Sequence, residues 1–366
     1  MVTLSACRKA SKPTLINFRL PHRPIMIART DEYDYPLLED AIAQRPLPRG
    51  TTRLFVGNRT TGTWADARFA DLPHHLPSGA LLILNDTKVI PARLPVRFPG
   101  GGKGEILLLK KTGVLEYRAL VRPGRKLGPG KVLALAEGME VRIISVEGRG
   151  ERRVAFSSDP AALMAAHGRV PLPPYIRRDA EPGDHSDYQT VYAREDGSVA
   201  APTAGLHFTS AMLRRLGESG IEVAFITLHV GPGTFRPITA ATLDGHRMDA
   251  EAYSIPEAAS EAIRRARLDR RPIIGVGTTV CRTLESAAIR NDGDVPAGEG
   301  ETDLFITPGF HFRVLDGLLT NFHMPRSTPL VLASSFAGRD RIIEWYGKAL
   351  AGGYRFLSYG DAMLIL

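Results

Sequence analysis

From Ser210 to the carboxyl end the chain alternates short apolar runs with amphipathic stretches, and no other feature restricts its fold as much. The amphipathic pieces predict helices over Ser210–Leu216, Pro256–Arg267, Val280–Ile289, Thr328–Phe336 and Asp340–Leu350. The apolar runs between them predict strands over Ile221–Val230, Pro272–Gly277, Asp303–Thr307, Leu318–Phe322 and Tyr354–Tyr359. Thr209 stands where an N-cap belongs, and Ser254 with Glu257 reads as a capping box. Strands alternating with helices predict an α/β domain on a mainly parallel sheet.

Between Leu81 and Phe156 the pattern changes to short alternating runs separated by Gly and Pro: LLILNDTKVI, GEILLLKK, VLEYRALVRP, KVLALA, MEVRIISVE and RRVAF. Strands without helical period predict a small antiparallel β-barrel. The expected division is an α/β domain from residues 28–78 and 158–366 with an inserted barrel at 79–157. Pro99 to Glu105, PGGGKGE, lacks the GK[ST] ending of a phosphate loop and reads as a hairpin turn. Upstream, Asp31 to Pro48 reads as a short helix and Arg53 to Phe69 as a hairpin. The acidic, Gly-rich segment Asn291 to Glu301 reads as a disordered surface loop.

A chain of 366 residues can bury a substantial core. No stretch approaches the roughly 18 consecutive apolar residues of a membrane span. Cys7 and Cys281 are the two cysteines, too few for a disulfide framework or a cysteine metal cluster, so a reducing cytoplasm and no metal are the expectations; a monomer is expected as well. The formal net charge of +8 suggests nucleic acid, but most of the excess sits before Met26, in Arg8, Lys9, Lys12, Arg19 and Arg23. Residues 1–27 therefore read as a disordered basic arm, or as the product of a start placed ahead of Met26. RNA contact is expected from a local basic patch instead.

One stretch suits neither helix nor strand: Tyr188 to Thr209, YQTVYAREDGSVAAPTAGLHFT. Its small residues, Gly197 to Gly205, are poor core material, and they read either as a tight packing loop or as a loop that wraps a ligand. His207 and Phe208 follow directly, which favours the ligand loop. In open α/β sheets ligands sit beyond the carboxyl ends of strands. Polar residues cluster at the predicted strand ends: Thr227 and His229, Thr278, Thr279 and Arg282, Asn321, His323 and Arg326, and Asp361.

These blocks, with LPPYIRR (Leu172 to Arg178), NDTKVIPARL, TLHVGPGTFRPI, GVGTTVCRTLES, DGLLTNFHMPRST and FLSYGDAM, resemble the S-adenosylmethionine:tRNA ribosyltransferase-isomerases of queuosine biosynthesis. The resemblance runs from about Tyr33 to the end. It implies that the ribosyl part of S-adenosylmethionine, a co-substrate, is transferred to a 7-aminomethyl-7-deazaguanine wobble base of tRNA and isomerised, giving epoxyqueuosine with loss of adenine and methionine. No metal or redox cofactor is implied. Proton transfer beside the sulfonium needs a base, for which His207, His229, His323, Asp303 and Glu285 are candidates, with His207 and His229 ranked above His323 for their glycine-containing loops. Arg236 and Arg282 are candidates to hold the methionine carboxylate, against the alternative that Arg282 and Glu285 form a surface pair on one helix. Tyr188, Thr203, Gly205, Phe235, Thr278 and Asn321 are further substrate-binding candidates, and Tyr175, Tyr188 or Phe235 could stack on a splayed base. On a predicted barrel turn, Arg122, Arg125 and Lys126 are candidates for RNA phosphate.

The chain departs from the family pattern at Val280 and Cys281, Asp249 and Ala250, and Thr307. A relative with another acceptor, or an RNA-binding protein without catalysis, therefore stay open. A methyltransferase is disfavoured, since no GxGxxG follows an early strand.

Overall fold

The strand Leu81–Asn85 is buried at every position, the pattern of a strand covered on both faces. It lies near the middle of a nine-stranded sheet whose order is Gly298–Thr302, Glu251–Ile255, Glu222–Leu228, Leu81–Asn85, Ile273–Val276, Gly317–Asn321, Ala362–Ile365, Arg53–Gly57 and Trp64–Arg68. Alternate side chains feed two layers. Leu81 and Ile83 join the core beneath the helices Glu257–Leu268, Thr278–Arg290, Thr328–Ala337 and Arg339–Ala351, whereas Leu82 and Leu84 pack with Leu72, Met212 and Leu216 on the other face. Each such side chain contributes about 1.5–3 kcal/mol when fully buried. This computed structural model describes residues 28–366 except Pro99, Arg125, Lys126, Pro232, Thr234 and Phe235. The expected basic arm lies outside the described residues, as do the candidates Arg125, Lys126 and Phe235.

The sheet is mixed, not mainly parallel. Parallel pairing joins Glu222–Leu228, Leu81–Asn85, Ile273–Val276 and Gly317–Asn321, and also Arg53–Gly57 with Ala362–Ile365. The remaining pairs are antiparallel because the hairpin at Arg53–Arg68, the last strand and the two strands at the other edge each run back beside a neighbour. One of those edge strands, Gly298–Thr302, arises from the segment expected to be disordered. Gly300 fits there because a Cβ would stand 2.7 Å from the Tyr253 ring. Conversely, 303–307 forms no strand. The last strand is Ala362–Ile365 rather than Tyr354–Tyr359.

The barrel is closed by Glu151–Phe156, Glu116–Arg122, Lys103–Lys111, Arg93–Arg97, Val132–Ala134 and Glu140–Val146. Leu81–Asn85 is not part of it, so the expected boundary at 79 is misplaced. The strand that replaces it, Arg93–Arg97, alternates Leu94 and Val96 inward with Pro95 and Arg97 outward, as a barrel wall requires. Leu163 of the helix Ala161–His167 joins the barrel core, so 158 is not a clean boundary either.

Thr209 caps its helix, accepting from Met212 N at 3.0 Å. Ser254 does not: it lies in the strand Glu251–Ile255, and the next helix starts after Pro256 with no side-chain cap. The predicted helix at Asp31–Pro48 is replaced by two short 3-10 turns, Thr30–Tyr33 and Glu39–Ala41. Tertiary pairing outcompetes it, since Ala43 N donates to Phe356 O and Phe356 N to Ala41 O. Among the described residues no helix is long and apolar enough to cross a membrane.

Candidate active site

The strands Leu81–Asn85, Ile273–Val276 and Gly317–Asn321 end on one edge of the sheet, and Ala362 pairs with Asn321 as the last strand starts there. Beyond this edge lies a cleft. The small-residue loop forms one wall, held from behind. The Arg49 guanidinium donates to the carbonyls of Leu206, Ser186 and Gln189 at 3.1, 2.6 and 2.6 Å. The Gln189 side chain bridges Val89, and Glu195–Ser198 pairs in parallel with Thr87–Val89. Thr203 and Ala204 line the cleft from the 3-10 turn Thr203–His207. Gly205 is absent from the cleft lining, and packing requires its glycine: a Cβ on it would stand 2.1 Å from the Tyr192 hydroxyl.

Opposite this loop, the helix Thr278–Arg290 begins at Gly277, whose φ of 91° turns the chain sharply out of the preceding strand. No side chain caps that helix, and Gly277, Thr278 and Thr279 line the cleft, so its start presents free N–H groups and a partial positive charge to any ligand. Thr320, Asn321 and His323 form the floor, with Tyr175 and Ser358, hydrogen-bonded to each other at 2.7 Å, at one side.

The three candidate histidines separate. His323 alone lines the cleft; its Nε2 lies 2.9 Å from Thr320 Oγ1, and burial pushes its pKa down to about 3. His207, ranked with His229 above His323 from sequence, is buried behind the wall. Its Nδ1 is 2.9 Å from Thr52 Oγ1, its Nε2 is 3.3 Å from Asn321 Nδ2, and burial lowers its pKa to about 4. His229 hydrogen-bonds Thr87 Oγ1 at 2.8 Å and faces a separate depression beside Gly197 and the barrel, and burial lowers its pKa too. The glycines beside these histidines make room for buried side chains: a Cβ on Gly197 would meet the His229 ring at 2.9 Å, and one on Gly205 the Tyr192 hydroxyl at 2.1 Å.

The remaining candidates divide in the same way. Glu285 is fully buried and accepts from the backbone N–H groups of Arg313, Val314 and Leu315 at 2.8, 3.1 and 3.1 Å, which fixes a turn; burial raises its pKa against those donors. Asp303 is exposed and does not line the cleft. Arg282 pairs with buried Glu251 and donates to the carbonyls of Leu304 and Thr302, so neither a free carboxylate clamp nor a surface pair with Glu285 exists. Tyr188 is buried edge-on against Tyr359 and cannot stack on a base. Thr227 donates to Asp86, and Arg326 pairs with Asp34. Asp361, which precedes its strand instead of ending one, accepts from Arg53 N and Arg355 N at 2.8 Å each. Thr320, Ser327 and Ser358, which line the cleft, escaped the sequence reading because single hydroxyls carry no periodic signal.

A second groove lies between the barrel and the segment Arg169–Ala180, lined by Arg93, Arg122, Arg169, Arg178 and Arg236. Arg178 is committed to Asp184 in a two-pronged pair, and Arg93 pairs with Glu105. Arg236 is only 3.8 Å from Glu151, and Arg122 and Arg169 are exposed. The two depressions adjoin: Pro174 and Arg236 line the groove, while their neighbours Tyr175 and Pro237 line the cleft.

A model of the family "Queuosine biosynthesis protein" matches residues 30–365. The chain belongs to the queuosine biosynthesis protein family. Among proteins of this family, it is 50% identical over 347 residues to the S-adenosylmethionine:tRNA ribosyltransferase-isomerase of Thermus thermophilus, covering 92% of this chain and 99% of that one. The enzyme of the same name from Moorella thermoacetica is 48% identical over 344 residues, covering 92% and 100%. The crystal structure of an S-adenosylmethionine tRNA ribosyltransferase from Thermotoga maritima, 35% identical, aligns with a TM-score of 0.53 over 92% of this chain and all of that one.

Proposed function

We propose that this chain is an S-adenosylmethionine:tRNA ribosyltransferase-isomerase, moving the ribosyl group of S-adenosylmethionine to a 7-aminomethyl-7-deazaguanine base and isomerising it to epoxyqueuosine. The observation that carries this reading is the adjacency of two unlike sites. A cleft whose described lining holds no Asp, Glu, Lys or Arg adjoins a groove lined with arginines. The first suits the flat heteroaromatic ring that both substrates carry, and the second suits an RNA backbone.

In this reading the free N–H groups at Thr278 and Thr279 receive the methionine carboxylate, the task first expected of Arg282 and Arg236. His323 takes the proton from the carbon beside the sulfonium. Burial keeps the imidazole neutral at working pH, the form that accepts a proton, and also makes it a weak base, so its place in the cleft and not its pKa supports this role. Arg122, Arg169 and Arg236 meet phosphates while the target base is splayed into the cleft against Tyr175. The family departures do not favour another acceptor. Val280 and Cys281 are core residues, Asp249 and Ala250 line the depression beside the barrel, and Thr307 does not line the cleft.

The reaction leaves a distinctive residue of its donor. Purified protein with S-adenosylmethionine and tRNA bearing the aminomethyl base is expected to release adenine and methionine in equal amounts and to add a ribose-derived mass to the RNA. S-adenosylhomocysteine among the products, or an unconsumed donor, overturns the assignment.

A further inference from the structure

Asn321 ends the strand Gly317–Asn321 on the floor of the cleft and is 2% exposed. Its Nδ2 donates to the Leu357 carbonyl at 3.0 Å and lies 3.3 Å from His207 Nε2. Its Oδ1 is buried and has no hydrogen-bond partner among the described residues. A flipped amide would set Oδ1 against the Leu357 carbonyl oxygen, so the network dictates this orientation. A buried acceptor without a partner forfeits its hydration for nothing, which is a reason to look for a donor on a ligand.

The surroundings restrict that donor. Asn321 Oδ1 is an uncharged acceptor with no carboxylate beside it in the described lining, so it matches a neutral N–H donor better than an ammonium. Val230, Phe322, Leu357 and the Tyr175 ring suit a heteroaromatic plane instead. We propose that Asn321 Oδ1 accepts a hydrogen bond from a neutral N–H on the purine-like ring of a substrate, and that His207 and Thr52 hold the amide in the orientation this requires. This rests on the function proposed above, under which both substrates carry such a group: the exocyclic amine of adenine in the donor, and the ring N–H and exocyclic amine of the deazaguanine in the RNA.

His207 acts here without touching substrate. Asn321 Nδ2 can only donate, so His207 Nε2 accepts and Nδ1–H donates to Thr52 Oγ1. The ring is wedged beside Phe69 with centroids 5.0 Å apart. His207 is thus a positioning residue, holding the amide nitrogen of Asn321 between itself and the Leu357 carbonyl.

The test compares S-adenosylmethionine with its deaminated analogue, in which a ring carbonyl replaces the exocyclic amine, on the full chain with substrate tRNA. The readouts are the ratio of kcat/KM for the two donors and KM for the RNA. A ratio does not depend on the fraction of folded enzyme. Wild type is expected to prefer the adenine donor by about 100-fold or more, since a site built around one hydrogen bond rejects its absence strongly. That preference should shrink to within roughly tenfold in Asn321→Ser and in His207→Phe, and return in His207→Gln, which keeps an acceptor. If the RNA ring is the group read, wild type discriminates little between donors, and Asn321→Ser raises KM for RNA about tenfold with donor KM unchanged. A donor preference that persists in Asn321→Ser with RNA KM unmoved overturns the proposal and leaves ribosyl transfer intact. A wild type that consumes no S-adenosylmethionine overturns the function, and this inference with it. Should Asn321→Ser fail to fold, His207→Phe against His207→Gln carries the same comparison.

Discussion

Arg282 and Glu251 form an ion pair in which both side chains are almost completely out of water. The pair ties the helix Thr278–Arg290 to the strand Glu251–Ile255, and the guanidinium also holds the Leu304 and Thr302 carbonyls. Removing one member of such a pair strands the other charge, at a cost of about 3–5 kcal/mol. Arg282→Met is therefore expected to lose about that much unfolding free energy in urea, with KM for S-adenosylmethionine unchanged below the transition. Adding Glu251→Leu should recover part of the loss, though not the hydrogen bond from Gly231 N to Glu251. Unaltered stability with a raised KM would return Arg282 to carboxylate binding.

The second prediction concerns the histidine of the cleft. His323→Gln is expected to lower kcat by about 10²- to 10⁴-fold with the melting temperature little changed, whereas His229→Gln should stay within about tenfold of wild type. Equal losses in both would mean that the depression at His229 takes part in the chemistry.

Acid stability supplies a third. An unfolded histidine titrates near 6.5, but buried His207 titrates near 4, so between these values the unfolded state binds the extra proton and stability falls with falling pH. Below about 4 this contribution levels off, having removed roughly 3 kcal/mol. Unfolding measured from pH 7 to 4 should show a limb whose slope drops by about 1.4 kcal/mol per pH unit in His207→Gln. A slope that does not change would mean that His207 titrates normally in the folded chain.

Arg122, Arg169 and Arg236 give the fourth. Replacing all of them by Ala should weaken tRNA binding and flatten the log-log salt dependence by about 0.7 to 0.9 per lost phosphate contact. S-adenosylmethionine binding measured by calorimetry should not move. An intact salt slope would leave the groove as a solvated surface.

Much of the architecture was legible because it rests on local pattern. The helix at Ser210–Glu218 with its Thr209 cap, the hairpin at Arg53–Arg68 and most barrel strands follow from periodicity and turn residues close in sequence. From sequence Leu81–Asn85 reads as a barrel strand, because a buried apolar run of that length looks the same in either place. Only its pairing with Glu222–Leu228 and Ile273–Val276, far along the chain, puts it in the sheet. The strand Gly298–Thr302 was hidden for a similar reason: its glycines and glutamates have poor strand propensity, and the edge of the sheet supplies the order.

The residue types at the strand ends and, through the long motif blocks, the family are legible in the chain alone. Tertiary structure decided which of those residues share a site. His207 and His323 each sit near a loop or a strand end, yet the wall carrying Thr203 leaves only His323 open to the cleft. Arg282 and Glu285, one turn apart, diverge to Glu251 and to the turn at Arg313–Leu315. The physical reason is that a polar side chain taken out of water must find a partner, and whether that partner is protein or ligand depends on neighbours distant in sequence.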